Sequence, residues 1–241
     1  MISKSQIKLI NSLSQKKYRN KNNLFVAEGI KVIKELLKSD FELEMIFSEV
    51  DMFFTAKDKL EIISPEILKK ISNLSTPQTA LALFKIPQHT ISADLDFAVA
   101  LDGIRDPGNL GTIIRLCDWF GVSHLICSQD TVDCYNPKVV QATMGSIARV
   151  NIIYTDLKTF IEKSNLPVYG AFMNGENIYK KSFSPKGIVV LGNEANGISS
   201  AIERLISQKI SIPQFGENQK TESLNVATAT AILLSEFKRN S

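Results

Sequence analysis

From Phe97 to the end of the chain, short apolar runs alternate with helical stretches, and this constrains the fold more than any other feature. Residues 97–101, 123–127, 149–154, 168–172, 187–191 and 209–212 are runs of four to six. They are too short for core helices and suit buried strands. Helical stretches fall at 110–120, 137–144, 156–164, 199–206 and 225–238. The second opens with Asn136 as cap and Pro137 at its first position. Such alternation implies an α/β fold with a mostly parallel sheet and helices on both faces. In open sheets of this kind, ligands bind beyond the carboxyl ends of the strands.

Before residue 97 the pattern differs. Residues 25–39 carry Ile30, Ile33, Leu36 and Leu37 at helical spacing, which predicts an amphipathic helix. Residues 43–47 and 80–86 are strand candidates, and 65–71 is a helix candidate behind Ser64. Residues 87–96 look like a linker. The expected division is therefore a small α/β domain at 1–90 and a larger one at 91–241.

Composition narrows the function. A 241-residue chain that is 44% hydrophobic and 22% charged has the make-up of a globular protein. No run of eighteen apolar residues suggests a membrane span, and the first residues lack the apolar run of a secretory signal. Cys117, Cys127 and Cys134 form no CxxC pair, and the two histidines are His89 and His124. Neither a disulfide framework nor a metal site is expected, and a reducing cytoplasm is the expected setting. The net charge of +3 decides little, but its placement is informative. Residues 1–24 contain Lys4, Lys8, Lys16, Lys17, Arg19 and Lys21 and no acid. An all-basic segment suits a polyanion such as RNA or DNA; the alternative is a solvated helix face or a mobile tail.

Three loops follow predicted strands and could carry chemistry. The first, D-G-I-R-D-P-G-N-L-G-T-I-I-R (102–115), is a glycine-rich strand-to-helix turn able to offer backbone N–H groups to an anion. It has neither G-x-G-x-x-G nor a Walker lysine. Arg115 follows Ile113 and Ile114 and precedes Leu116. On this reading it sits in an apolar face, needing an anion or a buried ion pair with a carboxylate such as Asp118. The second loop runs V-L-G-N-E-A-N-G-I-S (190–199). The third runs I-P-Q-F-G and, after 217–222, S-L-N-V-A (212–227), where Ser223 or Asn225 could cap the last helix. Together they outline a pocket with few ionisable groups, suited to a nucleoside-like ligand. No Ser-His-Asp set is evident.

At these three stretches the sequence resembles the SpoU (TrmH-like) branch of the SPOUT RNA methyltransferases, in the family's order and spacing. The segment 17–29 (K-Y-R-N-K-N-N-L-F-V-A-E-G) resembles the start of that family's RNA-substrate-binding domain. The resemblance implies a C-terminal trefoil knot, S-adenosylmethionine as cofactor, a homodimer with active sites near the subunit interface, and methylation of a ribose 2′-oxygen of ribosomal or transfer RNA. It implies catalytic roles for Asn109, Arg115, Glu194, Ser223 and Asn225. It implies cofactor contacts from Leu191, Gly192, Asn193, Gly197, Ile212, Leu224 and Asn225. Arg115 would hold the phosphate beside the target ribose. RNA capture is expected from Lys16, Lys17, Arg19 and Lys21. Two departures from the family pattern stand out: Gln141, where many relatives carry a basic residue, and the polar loop 216–222. The competing readings are a non-catalytic RNA-binding or ribosome-assembly protein with the same fold, and a Rossmann-type nucleotide enzyme.

Overall fold

The computed structural model describes residues 2–92, 94–216 and 223–239. The elements begin with α1 (Lys4–Ser12), α2 (Lys16–Asn22), β1 (Leu24–Glu28), α3 (Ile30–Leu37), β2 (Leu43–Ser48), β3 (Leu60–Ile62), α4 (Pro65–Ile71) and β4 (Ala80–Lys85). They continue with β5 (Phe97–Asp102), α5 (Pro107–Trp119), β6 (His124–Cys127), α6 (Pro137–Thr143), β7 (Asn151–Tyr154) and α7 (Leu157–Glu162). The last are β8 (Val168–Asn177), β9 (Gly187–Gly192), α8 (Ser200–Glu203), β10 (Gln208–Ser211) and α9 (Val226–Lys238). Two compact units result: Met1–Gln88 with Asp133–Arg149, and His89–Val132 with Val150–Ser241. The sequence reading drew one boundary near residue 90; in the structure residues 133–149 group with the N-terminal segment.

In the first unit the described strands form a sheet of order β1-β4-β2-β3. Leu24, Val26, Phe47, Leu81 and Leu83 join Ile10 and Leu13 at the end of α1, and Leu68 and Ile71 of α4, in one core cluster. Alternate residues point the other way. The Phe25 ring lies 5.6 Å from Phe41, 5.9 Å from Phe84 and 4.8 Å from Tyr135. Because both faces are covered, β1 is buried at all five positions. That continuous burial is why residues 25–39 read as a single helix: the strand shows no polar alternation. Gly29, at φ +90°, ends β1 and lets α3 begin.

Arg19 corrects one expectation. It is 1% exposed. Its Nε and Nη2 donate to Asp133 Oδ2 at 3.0 and 2.5 Å, and its Nη1 donates to the carbonyls of Leu13 and Ser14 at 2.8 and 2.9 Å. Asp133 Oδ1 in turn accepts from the Tyr135 N–H at 3.0 Å. A guanidinium so engaged is a structural tie and is not free to contact RNA. Lys16, Lys17 and Lys21 are exposed.

In the second unit the described strands form a parallel sheet of order β10-β8-β9-β5-β6-β7. Ala98, Ala100, Ile126, Ile188 and Val190 pack on Leu157 and Ile161 of α7 and Ile202 of α8. On α5 the buried stripe is Leu110, Gly111, Ile113, Ile114 and Cys117, and Arg115 is exposed. The expectation that Arg115 lies in an apolar face or a buried ion pair is therefore overturned. Position 115 is turned 100° past Ile114 and 200° past Ile113, which carries it off the stripe.

β8 is longer than expected and interrupted. It pairs with β10 at Tyr169 and Gly170, then again at Glu176 and Asn177. Gly175 permits the return: a Cβ there would lie 2.4 Å from the Ile210 carbonyl carbon. The residues between, 171–174, turn aside and become a wall of the site described next.

Candidate functional site

The carboxyl ends of β5, β9, β8 and β10 are neighbours in the sheet, and their loops meet there. After β5, Asp102 Oδ2 accepts from the Ser199 N–H at 2.7 Å, tying the first loop to the second. The Gly103 N–H donates to Ser128 Oγ at 2.9 Å, and Ser128 donates to Asp130 Oδ1 at 2.6 Å. Asp106 caps α5, accepting from the Asn109 N–H at 2.7 Å. This fixes the first helical turn and the position of Asn109.

After β9, the chain reverses between Asn193 and Gly197, whose backbones exchange N–H···O bonds of 2.9 and 2.8 Å. Asn193 Oδ1 accepts from the Ala195 and Asn196 N–H groups, and its Nδ2 donates to the Gly103 carbonyl at 2.6 Å. A Cβ on Gly192 would lie 2.1 Å from the Gly197 carbonyl carbon and 2.2 Å from the Ile198 nitrogen. Only glycine fits where the loop folds back on its own strand.

The three loops converge on a directed chain of amides. Asn225 is the N-cap of α9; its Oδ1 accepts from the Ala227 and Thr228 N–H groups at 2.9 and 3.3 Å. The cap leaves Nδ2 outward, where it donates to Asn109 Oδ1 at 2.8 Å. Asn109 must then present Nδ2, which donates to Glu194 Oε1 at 2.7 Å. A helix cap thus sets the orientation of two side-chain amides and holds one carboxylate oxygen of Glu194. Both readings of Asn225, cap and site residue, hold at once.

Beside this relay runs a groove of about 1000 Å³. Leu191, Ile198, Ile210, Val226 and Leu233 make a buried apolar floor. Asn193, Glu194, Gln214 and Ser223 supply polar rim groups, and Phe215 and Leu224 are exposed apolar ones. Glu203 also lines the groove but is paired with Lys209 at 2.5 Å, whose ammonium stands 4.7 Å over the Phe172 ring. Among the described residues, no group of three or more His, Cys, Asp or Glu is placed to hold a metal.

Of the residues singled out in the sequence, Leu191, Gly192, Asn193, Glu194, Gly197, Ile212, Ser223 and Leu224 line the groove. Asn109 and Asn225 join it through the relay. Arg115 stands apart: it lies six residues beyond Asn109, which is about 9 Å along the helix and about 120° around it. Gln141 lies on α6 in the first unit, with its Oε1 buried and without a hydrogen bond among the described residues. Residues 217–222 of the polar loop lie outside the described residues. Sequence reasoning placed Asp102 at the head of the first loop without a role of its own, and missed Ser128 and Asp130, which help to hold the loops, and the wall at 171–174. Asp102 had a visible signal, an acid closing an apolar strand. The other two sit in a turn with no periodic pattern.

A parallel α/β sheet with an apolar-floored, amide-rimmed groove at its strand ends defines a domain for a nucleoside-type ligand. The SpoU rRNA Methylase family profile matches residues 96–235, and an MRM3-like substrate binding domain profile matches residues 4–82. The chain belongs to the SpoU rRNA methylase family. It is 28% identical over 230 residues, 92% of this chain and 91% of the relative, to a 23S rRNA (guanosine(2553)-2′-O)-methyltransferase of Bacillus subtilis. A solved structure of a Porphyromonas gingivalis protein assigned to the TrmH family of RNA methyltransferases superposes with TM-score 0.90 and 37% identity over 100% of both chains. The AdoMet-bound rRNA methyltransferase of Sinorhizobium meliloti superposes with TM-score 0.85 and 28% identity, covering 99% of this chain and 97% of that one.

Proposed function

We propose that the chain is an S-adenosylmethionine-dependent methyltransferase acting on a ribose 2′-hydroxyl of RNA. The observation that carries this reading is the Asn225–Asn109–Glu194 relay beside the groove, in a chain of this family. The groove suits the cofactor on three counts. Its buried floor can take a purine ring, and its backbone turns and amides can bond a ribose. Glu194 offers negative charge to a cationic ligand, while Glu203 is already matched by Lys209.

Bound there, S-adenosylmethionine supplies a methyl group on a positively charged sulfur, already activated toward an oxygen nucleophile. The protein's contribution is then alignment. Asn109 and Asn225 hold Glu194 by directed bonds that need no reorganisation. Ser223 adds a hydroxyl at the rim. Arg115, a cation with a fork of donors, would hold the phosphate next to the target ribose, and the hydroxyl proton would leave to that phosphate or to solvent as the oxygen takes the methyl group.

The reading includes a homodimer. Trp119, at the end of α5, is 83% exposed, and Arg115 lies outside the relay of its own protomer. Both facts favour an interface along α5 that brings Arg115 to a groove. The reading also includes the trefoil knot implied by the sequence resemblance. The substrate is ribosomal RNA, which the names of the Bacillus and Sinorhizobium relatives favour over transfer RNA. Cys117, Cys127 and Cys134 are buried thiols in no disulfide among the described residues, which suits a reducing cytoplasm. No helix among the described residues is long and apolar enough to cross a membrane.

The test is incubation with methyl-labelled S-adenosylmethionine and undermethylated ribosomal RNA, followed by nucleoside mapping. Label on a ribose 2′-oxygen supports the reading; label on a base, or no cofactor binding, rejects it. Arg115→Ala abolishes turnover while cofactor binding persists; near-normal turnover removes Arg115 from the mechanism.

A further inference from the structure

We propose that the outward sides of α1 and α4 form one phosphate-binding surface for RNA, built from Lys4, Lys8, Lys69 and Lys70. The inference rests on the reading of RNA as substrate and names where the first unit holds it. Lys69 and Lys70 lie sixty residues from Lys4 and Lys8. Packing brings the two helices together: α1 contacts α4, and both cover the Leu24–Val26–Leu81–Leu83 side of the four-stranded sheet. All four lysines are exposed. Lys4 and Lys8, four residues apart, lie on one side of α1, opposite the buried Ile10.

The unit's charges are segregated so that this surface is left positive. Residues 1–88 and 133–149 carry 16 Lys and Arg against 11 Asp and Glu. Seven of the acids, Asp40 through Glu61, fall in or beside β2 and β3, at one end of the sheet order. Of the remaining four, Glu28 and Asp133 are engaged in internal bonds, and Glu35 is paired with Arg149 at 2.6 Å. That leaves Glu66, in the first turn of α4, as the one acid on the two helices. Glu66 stands four residues before Lys70; its carboxyl pKa is lowered by a Ser64 hydrogen bond and, in smaller part, by the Lys70 charge, so it offsets part of that lysine. With four lysines against that one acid, the surface attracts the nucleic-acid backbone regardless of sequence, through release of its counterions.

The experiment measures binding of the full chain to purified 23S ribosomal RNA across a range of salt concentrations. It compares wild type with Lys4→Gln/Lys8→Gln/Lys69→Gln/Lys70→Gln and with the matching four-arginine variant. The proposal expects the glutamine variant to lose about tenfold or more in affinity at low salt, with a salt slope smaller by about 2 to 4. The arginine variant retains both, and the melting temperature and S-adenosylmethionine affinity stay unchanged in each. A third variant, Glu44→Gln/Glu49→Gln/Asp51→Asn, loses no affinity. A glutamine variant with wild-type affinity and slope overturns the surface while leaving RNA methylation standing. Wild-type protein that binds S-adenosylmethionine but neither binds nor methylates RNA overturns the substrate reading itself, and the surface with it.

Discussion

In the first unit, the buried charges Arg19 and Glu28 and the part-buried Asp133 bond inward, to one another's loops and to backbone atoms. In the second, Glu194 and Asn225 are exposed at the strand ends, and their bonds aim a carboxylate at a groove. Both units contain polar networks of comparable bond length. What separates scaffold from site is burial and direction. A buried pair fixes chain segments that are far apart in sequence, as Arg19 and Asp133 do across 114 residues. An exposed relay at the edge of a groove holds groups ready for a ligand. The contrast also explains why charge alone misassigned Arg19. It stands among exposed lysines in the sequence, yet it closes the end of α1 and anchors the 133–149 segment.

The comparison can be broken most forcefully at Arg19. Arg19→Met leaves the part-buried Asp133 without its cation and the Leu13 and Ser14 carbonyls without their donor, and is expected to cost about 3 kcal/mol of stability by chemical denaturation. A loss below about 1 kcal/mol would show that the pair is peripheral. Next is Asn225→Asp. Aspartate caps helices as well as asparagine does, so stability holds. It lacks the Nδ2 donor, however, and faces Asn109 Oδ1 with a second acceptor. Turnover should fall by about 100-fold, with melting temperature unchanged; retained turnover would mean the relay does not serve catalysis.

A smaller effect comes from Cys117, whose thiol is pushed up to about 12 by burial. The folded state keeps this proton where the unfolded state, titrating near 9.0, loses it. Its contribution is therefore complete below pH 9 and is lost as pH rises toward 12, by up to about 1.4 kcal/mol per pH unit. Thiol-reactive reagents should leave Cys117 unmodified in the folded protein at pH 8. The smallest effect is on stability when Lys16, Lys17 and Lys21 are changed to Gln: within about 0.5 kcal/mol, in contrast to Arg19→Met. Equal losses in the two experiments would erase the distinction between surface cation and buried tie.

The second unit was largely legible because its strands are short, apolar and separated by helices with visible caps. Asn136 and Asn225 accept the expected backbone N–H bonds, and Asp156 caps α7 in the same way. The first unit was less so. β1 hid inside a helical pattern because both its faces are covered. The short α1 and α2 carry mostly polar residues and a single buried position each, a weak periodic signal. In the site, the residue types of the three loops were readable, but the direction of the relay was not. It depends on Asn225 Oδ1 being committed to two backbone donors. Arg115 was misread because two isoleucines beside it in sequence point to a different side of the helix. The detour at 171–174 depends on β10 passing within touching distance of Gly175, a contact that no local pattern announces.

The most direct test is single-turnover methyl transfer to ribosomal RNA by wild type and Asn109→Asp, with S-adenosylmethionine affinity measured on the same preparations. Asn109→Asp keeps size but sets a carboxylate against Glu194. The account predicts methylated ribose with wild type, at least tenfold slower transfer with the variant, and an unchanged fold. Equal transfer rates, or wild type that binds the cofactor without methylating ribose, would contradict it.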